Sequence, residues 1–153
     1  MMRIRGLEII LPESTLLRDL APDEREELSQ ALALYTEAAD QGHMEAQWHC
    51  GVIYEFSRGV AKDDRMAFVY IERAAQQGHC QCEYNTGTYY RDGLGCEQSF
   101  VRAAEWWEKA AGRGNAGAMA SLGYLYADGQ GVPQSDKRAV ELYRQSAAKG
   151  EAT

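Results

Sequence analysis

The sequence has no run of 18 or more apolar residues, which excludes a membrane-spanning helix of ordinary length. A secretory signal is missing too, because Glu8 interrupts the apolar patch at residues 7–11 and no small-residue cleavage site follows it. We therefore predict a cytosolic protein with no membrane partner.

Positive charge is scarce in this chain. Its 16 Lys and Arg residues face 23 Asp and Glu residues, which gives a net charge of −7. Binding to nucleic acid without sequence preference needs Lys and Arg to neutralise phosphates, so this class of protein is excluded. Residues 21–41 hold six acids against Arg25 alone, and this segment favours a basic protein partner.

The motifs of common enzymes are also absent, since no phosphate-binding loop, dinucleotide fingerprint or zinc-protease helix occurs. One short match remains, Ser146-Ala147-Ala148-Lys149, which has the Ser-x-x-Lys pattern of penicillin-recognising enzymes without their companion motifs. We interpret it as coincidence and predict that the protein is not an enzyme.

A 36-residue repeat is the strongest feature that the chain does have. Shifting the sequence by one period superimposes six sets of identical residues. They include Gly42, Gly78, Gly114 and Gly150; Ala31, Ala67, Ala103 and Ala139; and Gly51, Gly87 and Gly123. A period of this length is typical of stacked helical repeats. Small residues at fixed positions allow the helix axes to approach closely.

Each copy of the repeat contains two helical segments. In the third copy, apolar residues recur at helical spacing over 103–111, Gly114 suits a left-handed C-terminal cap, and Asn115 suits the next N-cap. Ser135 or Asp136 caps the helix that follows. The same pattern predicts helices at 22–41, 44–57, 63–77, 80–92, 99–113, 116–127 and 135–149.

The residues from Ala103 to Val132 resemble the Sel1-like repeat (SLR), a relative of the tetratricopeptide repeat. The matching residues are Trp106, Ala110, Ala111, Gly114, Ala118, Gly123, Tyr126, Gly129 and Gly131. The resemblance covers about residues 23–150 and departs from the family pattern at Ser57, Cys82 and Cys96. It implies an all-α fold, a right-handed superhelix (solenoid) of antiparallel helix pairs that serves protein partners as an adaptor or scaffold.

The resulting domain organisation has two parts. Residues 1–21 form a non-repeat segment that either caps the first helix or binds a partner. Residues 22–153 form the solenoid, with an N-terminal helix and about three repeats at 31–66, 67–102 and 103–138, followed by a partial copy at 139–153. The last helix leaves Leu142 and Tyr143 partly uncovered.

Cysteines and histidines suggest a metal site at first, because Cys80 and Cys82 lie beside His79. The repeat register places the four cysteines at apolar positions, where free cysteine behaves as a small buried hydrophobe. We therefore predict no metal and no cofactor, and assign His43 and His79 to helix capping. Ser146 likewise occupies a position that is alanine in the other copies. Aromatic residues recurring in phase are assigned to the core: Tyr35, Tyr70, Trp106, Trp107 and Tyr143.

A candidate partner surface follows from the resemblance, because the first helix of each pair lines the concave side of tetratricopeptide-like solenoids. Helical projection turns Ala46, Cys50 and Tyr54 toward the core. The candidate partner-binding residues lie opposite or beside them: Glu45, Trp48, His49, Val52, Phe56, Gln81, Tyr84, Asn85, Thr88, Asp92, Ser121 and Tyr124. For Trp48 and Tyr84, packing between repeats is the alternative interpretation.

The leading hypothesis is a non-catalytic module that binds a protein or peptide through its concave surface, as a regulatory adaptor or scaffold. The first alternative is an immunity-type inhibitor that neutralises a bacterial toxin by direct binding, which suits a small protein with an acidic first helix. A second is an assembly unit that self-associates through its C-terminal helix. A hydrolase or small-molecule binder is the weakest hypothesis.

Overall fold

A computed structural model describes residues 2–4, 7–9, 21–55 and 63–151. Two strands, β1 (Met2–Ile4) and β2 (Leu7–Ile9), precede seven helices in this part of the chain. The helices are α1 (Pro22–Asp40), α2 (Met44–Glu55), α3 (Asp64–Gln76), α4 (Cys80–Asp92), α5 (Phe100–Gly112), α6 (Ala116–Asp128) and α7 (Asp136–Glu151). They divide into two compact units, Met1–Ala74 and Ala75–Thr153, here called unit 1 and unit 2.

Unit 1 begins with a short antiparallel hairpin that the sequence did not predict. Met2 pairs with Ile9 and Ile4 with Leu7, and β1 lies beside α1. The core of the unit is formed where α1, α2 and the first part of α3 meet. Its buried members are Tyr35, Ala39, Ala46, Cys50, Ile53 and Tyr70.

Close helix contact in unit 1 depends on Gly51. A Cβ atom at this position would lie 2.5 Å from the side chain of Ile71 on α3. A larger residue at this position would therefore require Ile71 or the helices to shift.

Unit 2 contains α4 to α7, and each successive pair of these helices is in contact. Its core combines small residues with a few large ones, and the largest fully buried side chain is that of Trp107. The other fully buried large residues of this unit include Leu122, Leu125 and Leu142. The recurrent alanines Ala103 and Ala139 are among its buried small residues.

The helix ends follow the predicted capping residues. The side chains of His79, Ser99, Asn115 and Ser135 each accept a hydrogen bond from the backbone N–H three residues later. Gly42, Gly78 and Gly114 have φ between 92° and 94°, the left-handed conformation expected after a helix. Gly150 departs from the pattern, because α7 continues through it to Glu151.

Candidate functional site

The predicted residues of unit 1 lie on α2. Glu45 is exposed, whereas Trp48, His49 and Val52 are half-buried. The His49 ring lies 5.2 Å from the ring of Trp48 and 5.2 Å from that of the core residue Tyr35. His49 thus links a surface ring to the core and does not point freely into solvent. Phe56, the last predicted residue on this helix, lies outside the described residues.

The predicted residues of α4 form a neutral polar row at its surface. The Gln81 side-chain amide donates a hydrogen bond to Asn85 Oδ1 at 3.0 Å. Thr88 donates its hydroxyl to the backbone carbonyl of Tyr84 at 3.3 Å. These contacts hold the side chains in defined positions and leave amide groups toward solvent.

Tyr84 has a packing role as well as a surface position. Its ring stacks on the indole of Trp107, with ring centroids 6.5 Å apart, and it also covers Gly117 at the start of α6. The Trp107 Nε1–H donates a hydrogen bond of 3.0 Å to the Tyr84 carbonyl. Packing between repeats, the alternative predicted for Tyr84, therefore accounts for much of this ring.

A groove of about 350 Å³ opens in unit 2 among the end of α4, the middle of α5 and α6. It is lined by Arg91, Trp107, Ala120, Ser121, Tyr124 and Leu125. Its floor is apolar, because Trp107 and Leu125 are almost fully buried. Tyr124 stands at its edge with 58% of its surface exposed, more than any other large apolar or aromatic side chain in the described part of the chain, such as Val101 at 55%.

Arg91 is held in this groove by two interactions. Its guanidinium forms hydrogen bonds of 2.8 and 3.0 Å with the two carboxylate oxygens of Asp92, and it lies 5.7 Å from the centroid of the Trp107 ring. The hydrogen bond to Asp92 raises the pKa of Arg91, and the same bond lowers the pKa of Asp92. The pair is therefore ionised at neutral pH and its charges cancel.

Some of the predicted partner-binding residues lie at the groove, together with residues that were not predicted. Ser121 and Tyr124 line it, Asp92 positions its arginine, and Tyr84 packs on its floor residue Trp107. Sequence reasoning missed Arg91 and Ala120. The available signal was that both differ from the equivalent residues of the other copies. These are Glu55 and Ala127 for Arg91, and Trp48 and Tyr84 for Ala120.

A second polar site lies at the start of α4. The carboxylate of Glu83 is 2% exposed, and both of its oxygens accept hydrogen bonds from Arg113 Nε, at 3.0 and 3.1 Å. Arg113 itself is 53% exposed and covers Gly78. Sequence reasoning did not predict this pair, because Glu83 occupies a position that is Gln47 or Met119 in the other copies.

The cysteines occupy two kinds of environment. Cys50 and Cys82 are fully buried, as predicted, whereas Cys80 and Cys96 are half-buried. Burial raises the pKa of the Cys50 thiol to about 11, and the nearby charge of Asp40 adds to this shift, against a hydrogen bond to Thr36 that lowers it. Within the described ranges, no three His, Cys, Asp or Glu side chains cluster closely enough to hold a metal ion.

The Ser-x-x-Lys pattern has a structural explanation. The Ser146 hydroxyl donates a hydrogen bond of 2.9 Å to the backbone carbonyl of Ala116, which joins α7 to the start of α6. The Lys149 amine lies over Gly114. Both groups thus tie α7 to the α5–α6 turn.

The C-terminal helix corrects one predicted core assignment. Leu142 was expected to be partly uncovered but is 1% exposed, so this expectation is wrong. Tyr143 is 41% exposed, as expected for the last helix and contrary to its assignment to the core. Tyr143 lies over Gly123 on one side only. Trp107, its counterpart one period earlier, is sealed by the Tyr84 ring and Arg91, and Trp106 packs beneath Lys109 near the surface.

No helix in the described ranges has the length and apolar character needed to cross a membrane.

Comparison with known proteins supports the resemblance seen in the sequence. The model of the Sel1 repeat matches residues 23–43, 45–79, 80–115 and 116–151. No curated protein matches the chain.

Solved structures give the same result. The protective antigen c5321 of uropathogenic Escherichia coli, which displays an SLR fold, is 36% identical with a TM-score of 0.76 over 80% of this chain. The match covers 26% of that protein, so this chain spans about a quarter of its length. A Sel1 repeat protein from Oxalobacter formigenes is 37% identical with a TM-score of 0.71, covering 78% of this chain and 91% of that one.

Helicobacter pylori cysteine rich protein B is similar in fold alone, at 21% identity and a TM-score of 0.61, covering 82% of this chain and 90% of that one. The predicted fold class, a helical-repeat solenoid, is confirmed by these matches.

Proposed function

Because the chain belongs to the Sel1 repeat family, we propose that it is a non-catalytic adaptor or scaffold that binds a protein or peptide segment. Members of this family are typically protein–protein interaction modules and are generally not enzymes. The proposed binding surface in unit 2 is the exposed side of α4 together with the groove at α6. In unit 1 it is the surface of α2 around Glu45, Trp48 and Val52.

The observation that carries this proposal is the exposed Tyr124 ring beside the groove. Interface centres are enriched in tyrosine, tryptophan and arginine and surrounded by polar residues. Tyr124 and Arg91 supply two such side chains, and Gln81, Asn85 and Thr88 supply a neutral polar border on α4. This surface offers a peptide hydrogen-bonding groups and an apolar floor, and these residues carry no unbalanced charge that would repel it.

Affinity capture from the native host tests the proposal. The wild-type protein is compared with a Tyr124→Ala, Asn85→Glu double variant, whose substitutions leave the buried core intact because neither side chain is fully buried. A Val101→Ala variant is the control, since Val101 is 55% exposed on α5 outside the groove. We expect the wild type and the control to retain one protein that the double variant loses. Equal recovery by all three would move the binding surface elsewhere.

A second candidate function is neutralisation of a basic toxin. It is favoured by the first turns of α1, where Asp23, Glu24, Glu26 and Glu27 are all exposed and Arg25 is the one base among them. Opposite charges accelerate association and select partners, with an effect that salt weakens. A Glu26→Lys, Glu27→Lys variant is expected to slow capture of such a partner at low salt. An unchanged association rate would rule out this surface.

Self-association through α7 is a further proposal, supported by the exposed Val140 and Tyr143 side chains one turn apart. Sedimentation velocity across a hundredfold range of concentration tests it. A Tyr143→Ser variant is expected to remain monomeric where the wild type associates, and a wild type that stays monomeric throughout contradicts the proposal. We also propose that the protein is located in the cytoplasm, a compartment in which cysteines are kept as thiols.

A further inference from the structure

One position of the repeat changes from a large ring to a methyl group in the third copy. Trp48 occupies it in α2 and Tyr84 in α4, whereas α6 has Ala120. The two rings are packed, Trp48 against His49 and Tyr84 against Trp107. Ala120 instead lines the open groove. Ala120 therefore presents only a methyl group to the groove.

The walls of the groove are suited to a flat ring. Tyr124 contributes an exposed aromatic side chain, and the Arg91 guanidinium contributes a planar cation that already lies over the Trp107 indole. Aromatic rings pair favourably with other rings and with guanidinium groups. The groove volume of about 350 Å³ also exceeds the roughly 150 Å³ in which an apolar cavity holds benzene.

Charge argues for a neutral occupant. Both carboxylate oxygens of Asp92 are bonded to the Arg91 guanidinium, so the one cation of the groove lining is already balanced. The remaining lining residues are Trp107, Ala120, Ser121, Tyr124 and Leu125, none of which carries a charge. A carboxylate or an ammonium group thus has no unbalanced charge to pair with here.

We propose that the groove is a socket for one aromatic side chain of the partner, which inserts beside Ala120 between Tyr124 and Arg91. This inference rests on the proposed function, because it names the anchor residue of the partner that the module binds. The ring packs against the Ala120 methyl group, and Ser121 supplies a hydroxyl group in the lining that can pair with a phenol or indole group. Phenylalanine, tyrosine and tryptophan are the side chains that fit.

Titration with amino-acid amides tests the socket directly. N-acetyltryptophanamide, N-acetylleucinamide and N-acetylglutamate amide are added to the full chain, and binding is followed by backbone NMR shifts. We expect the tryptophan derivative to shift the amides of Arg91, Ser121 and Tyr124 with saturation, at least fivefold more tightly than the other two. Equal binding of the leucine derivative, or shifts that avoid these residues, would overturn the proposal.

Two variants separate the socket from other surfaces. Ala120→Trp adds a bulky ring to the groove lining at a position where the other copies carry Trp48 and Tyr84, and it should weaken binding more than tenfold. Ala148→Trp makes the same change at an exposed position of α7 and should have no effect. If Ala120→Trp fails to fold, Tyr124→Ala replaces it, with an expected loss of at least fivefold. Unchanged binding by the folded variant contradicts the socket.

A displayed peptide library distinguishes failure of the socket from failure of the proposed function. Peptides that bind the wild type but not Ala120→Trp, and that share an aromatic residue, support both. Groove-binding peptides without an aromatic residue would keep the proposed function and refute the socket. Binding of the tryptophan derivative without any enriched peptide would keep an aromatic site and refute a protein partner for it.

Discussion

Trp107 lies directly over Gly87, and the indole occupies the space that any larger residue on α4 would need. A Cβ atom at Gly87 would lie 2.5 Å from Trp107 Cδ1. The same relationship joins Ile71 to Gly51 and Tyr143 to Gly123, always twenty positions apart in the sequence. Each helix pair is thus closed by one large side chain set against one glycine, and the size of that side chain varies between copies.

Substitution of Gly87 by alanine should be destabilising, although alanine is the better helix former. We expect the free energy of unfolding to fall by about 1–3 kcal/mol, the usual cost of overpacking. Gly112→Ala is the matched control, because a Cβ there meets no atom within 4 Å, and it should be neutral or stabilising by up to about 1 kcal/mol. Urea unfolding measures both. Equal changes in the free energy of unfolding for the two variants would show that the Gly87–Trp107 contact does not determine which side chain position 87 tolerates.

The large side chains that lie over these glycines should contribute unequally to the free energy of unfolding. Trp107 is 1% exposed and Tyr143 is 41% exposed, although they are equivalent in the repeat. Trp107→Ala is therefore expected to cost about 3–5 kcal/mol, as for other buried aromatic residues. Tyr143→Ala should cost less than half as much, measured by the same urea unfolding. A larger loss for Tyr143 than for Trp107 would contradict the observed burial.

The buried Glu83 carboxylate should depend on Arg113. Arg113→Ala leaves this charge without its hydrogen bonds, which costs on the order of 1–3 kcal/mol. A Glu83→Met, Arg113→Ala double variant removes the charge and installs the residue that the next copy carries, the buried Met119. Chemical unfolding should find the double variant more stable than Arg113→Ala. If it is no more stable, the loss does not come from an unpaired carboxylate.

Alkaline pH should destabilise unit 1 through Cys50. Its thiol has a pKa of about 11 in the fold against a reference value of 9.0, so between these values the unfolded chain loses the proton first. The contribution of this thiol to the free energy of unfolding is fully present below about pH 9 and is lost as the pH rises toward 11. Burial also raises the pKa values of Tyr54 and Tyr70, which act in the same direction at higher pH.

A Cys50→Ala variant isolates this contribution. Its urea midpoint should fall less steeply between pH 9 and pH 11 than that of the wild type. Parallel pH profiles for the two proteins would show that the thiol proton is not linked to folding.

Much of the fold was predictable, because the signals that set helix ends are local. Gly78 and Gly114 end helices by adopting positive φ, and His79 and Asn115 begin the next ones by accepting a backbone N–H. These interactions involve residues three or four positions apart, and they recur in each period. The predicted helix bounds therefore agree with the structure to within about two residues at most ends.

Features that depend on distant or missing neighbours were harder to predict. The residues between β1 and β2 are Arg5 and Gly6, which are not among the Asn-Gly or Asp-Gly pairs that indicate a two-residue hairpin. Tyr143 was assigned to the core because its register matches Trp107, but burial also requires the rings and cations that surround Trp107. Register identifies equivalent positions, and it does not show which neighbours are present.

The candidate site was predicted in part for the same reason. Helical projection found Ser121 and Tyr124, because it reports the direction in which a side chain leaves its helix. It did not find Arg91 or Ala120, since the groove results from a small residue on α6 and an arginine at the end of α4. Glu83 and Arg113 are 30 residues apart, and their hydrogen bonds depend on the α5–α6 turn.

We propose that residues recurring in every copy maintain the fold, whereas surface residues that differ between copies bind the partner. Capture of the host partner by a Tyr124→Ala variant tests it most directly, because this residue is 58% exposed and differs from Val52 and Thr88. The unfolding free energy should stay within about 0.5 kcal/mol of the wild-type value, as for other surface changes, while partner recovery falls at least tenfold. Undiminished recovery by this stably folded variant would contradict the account.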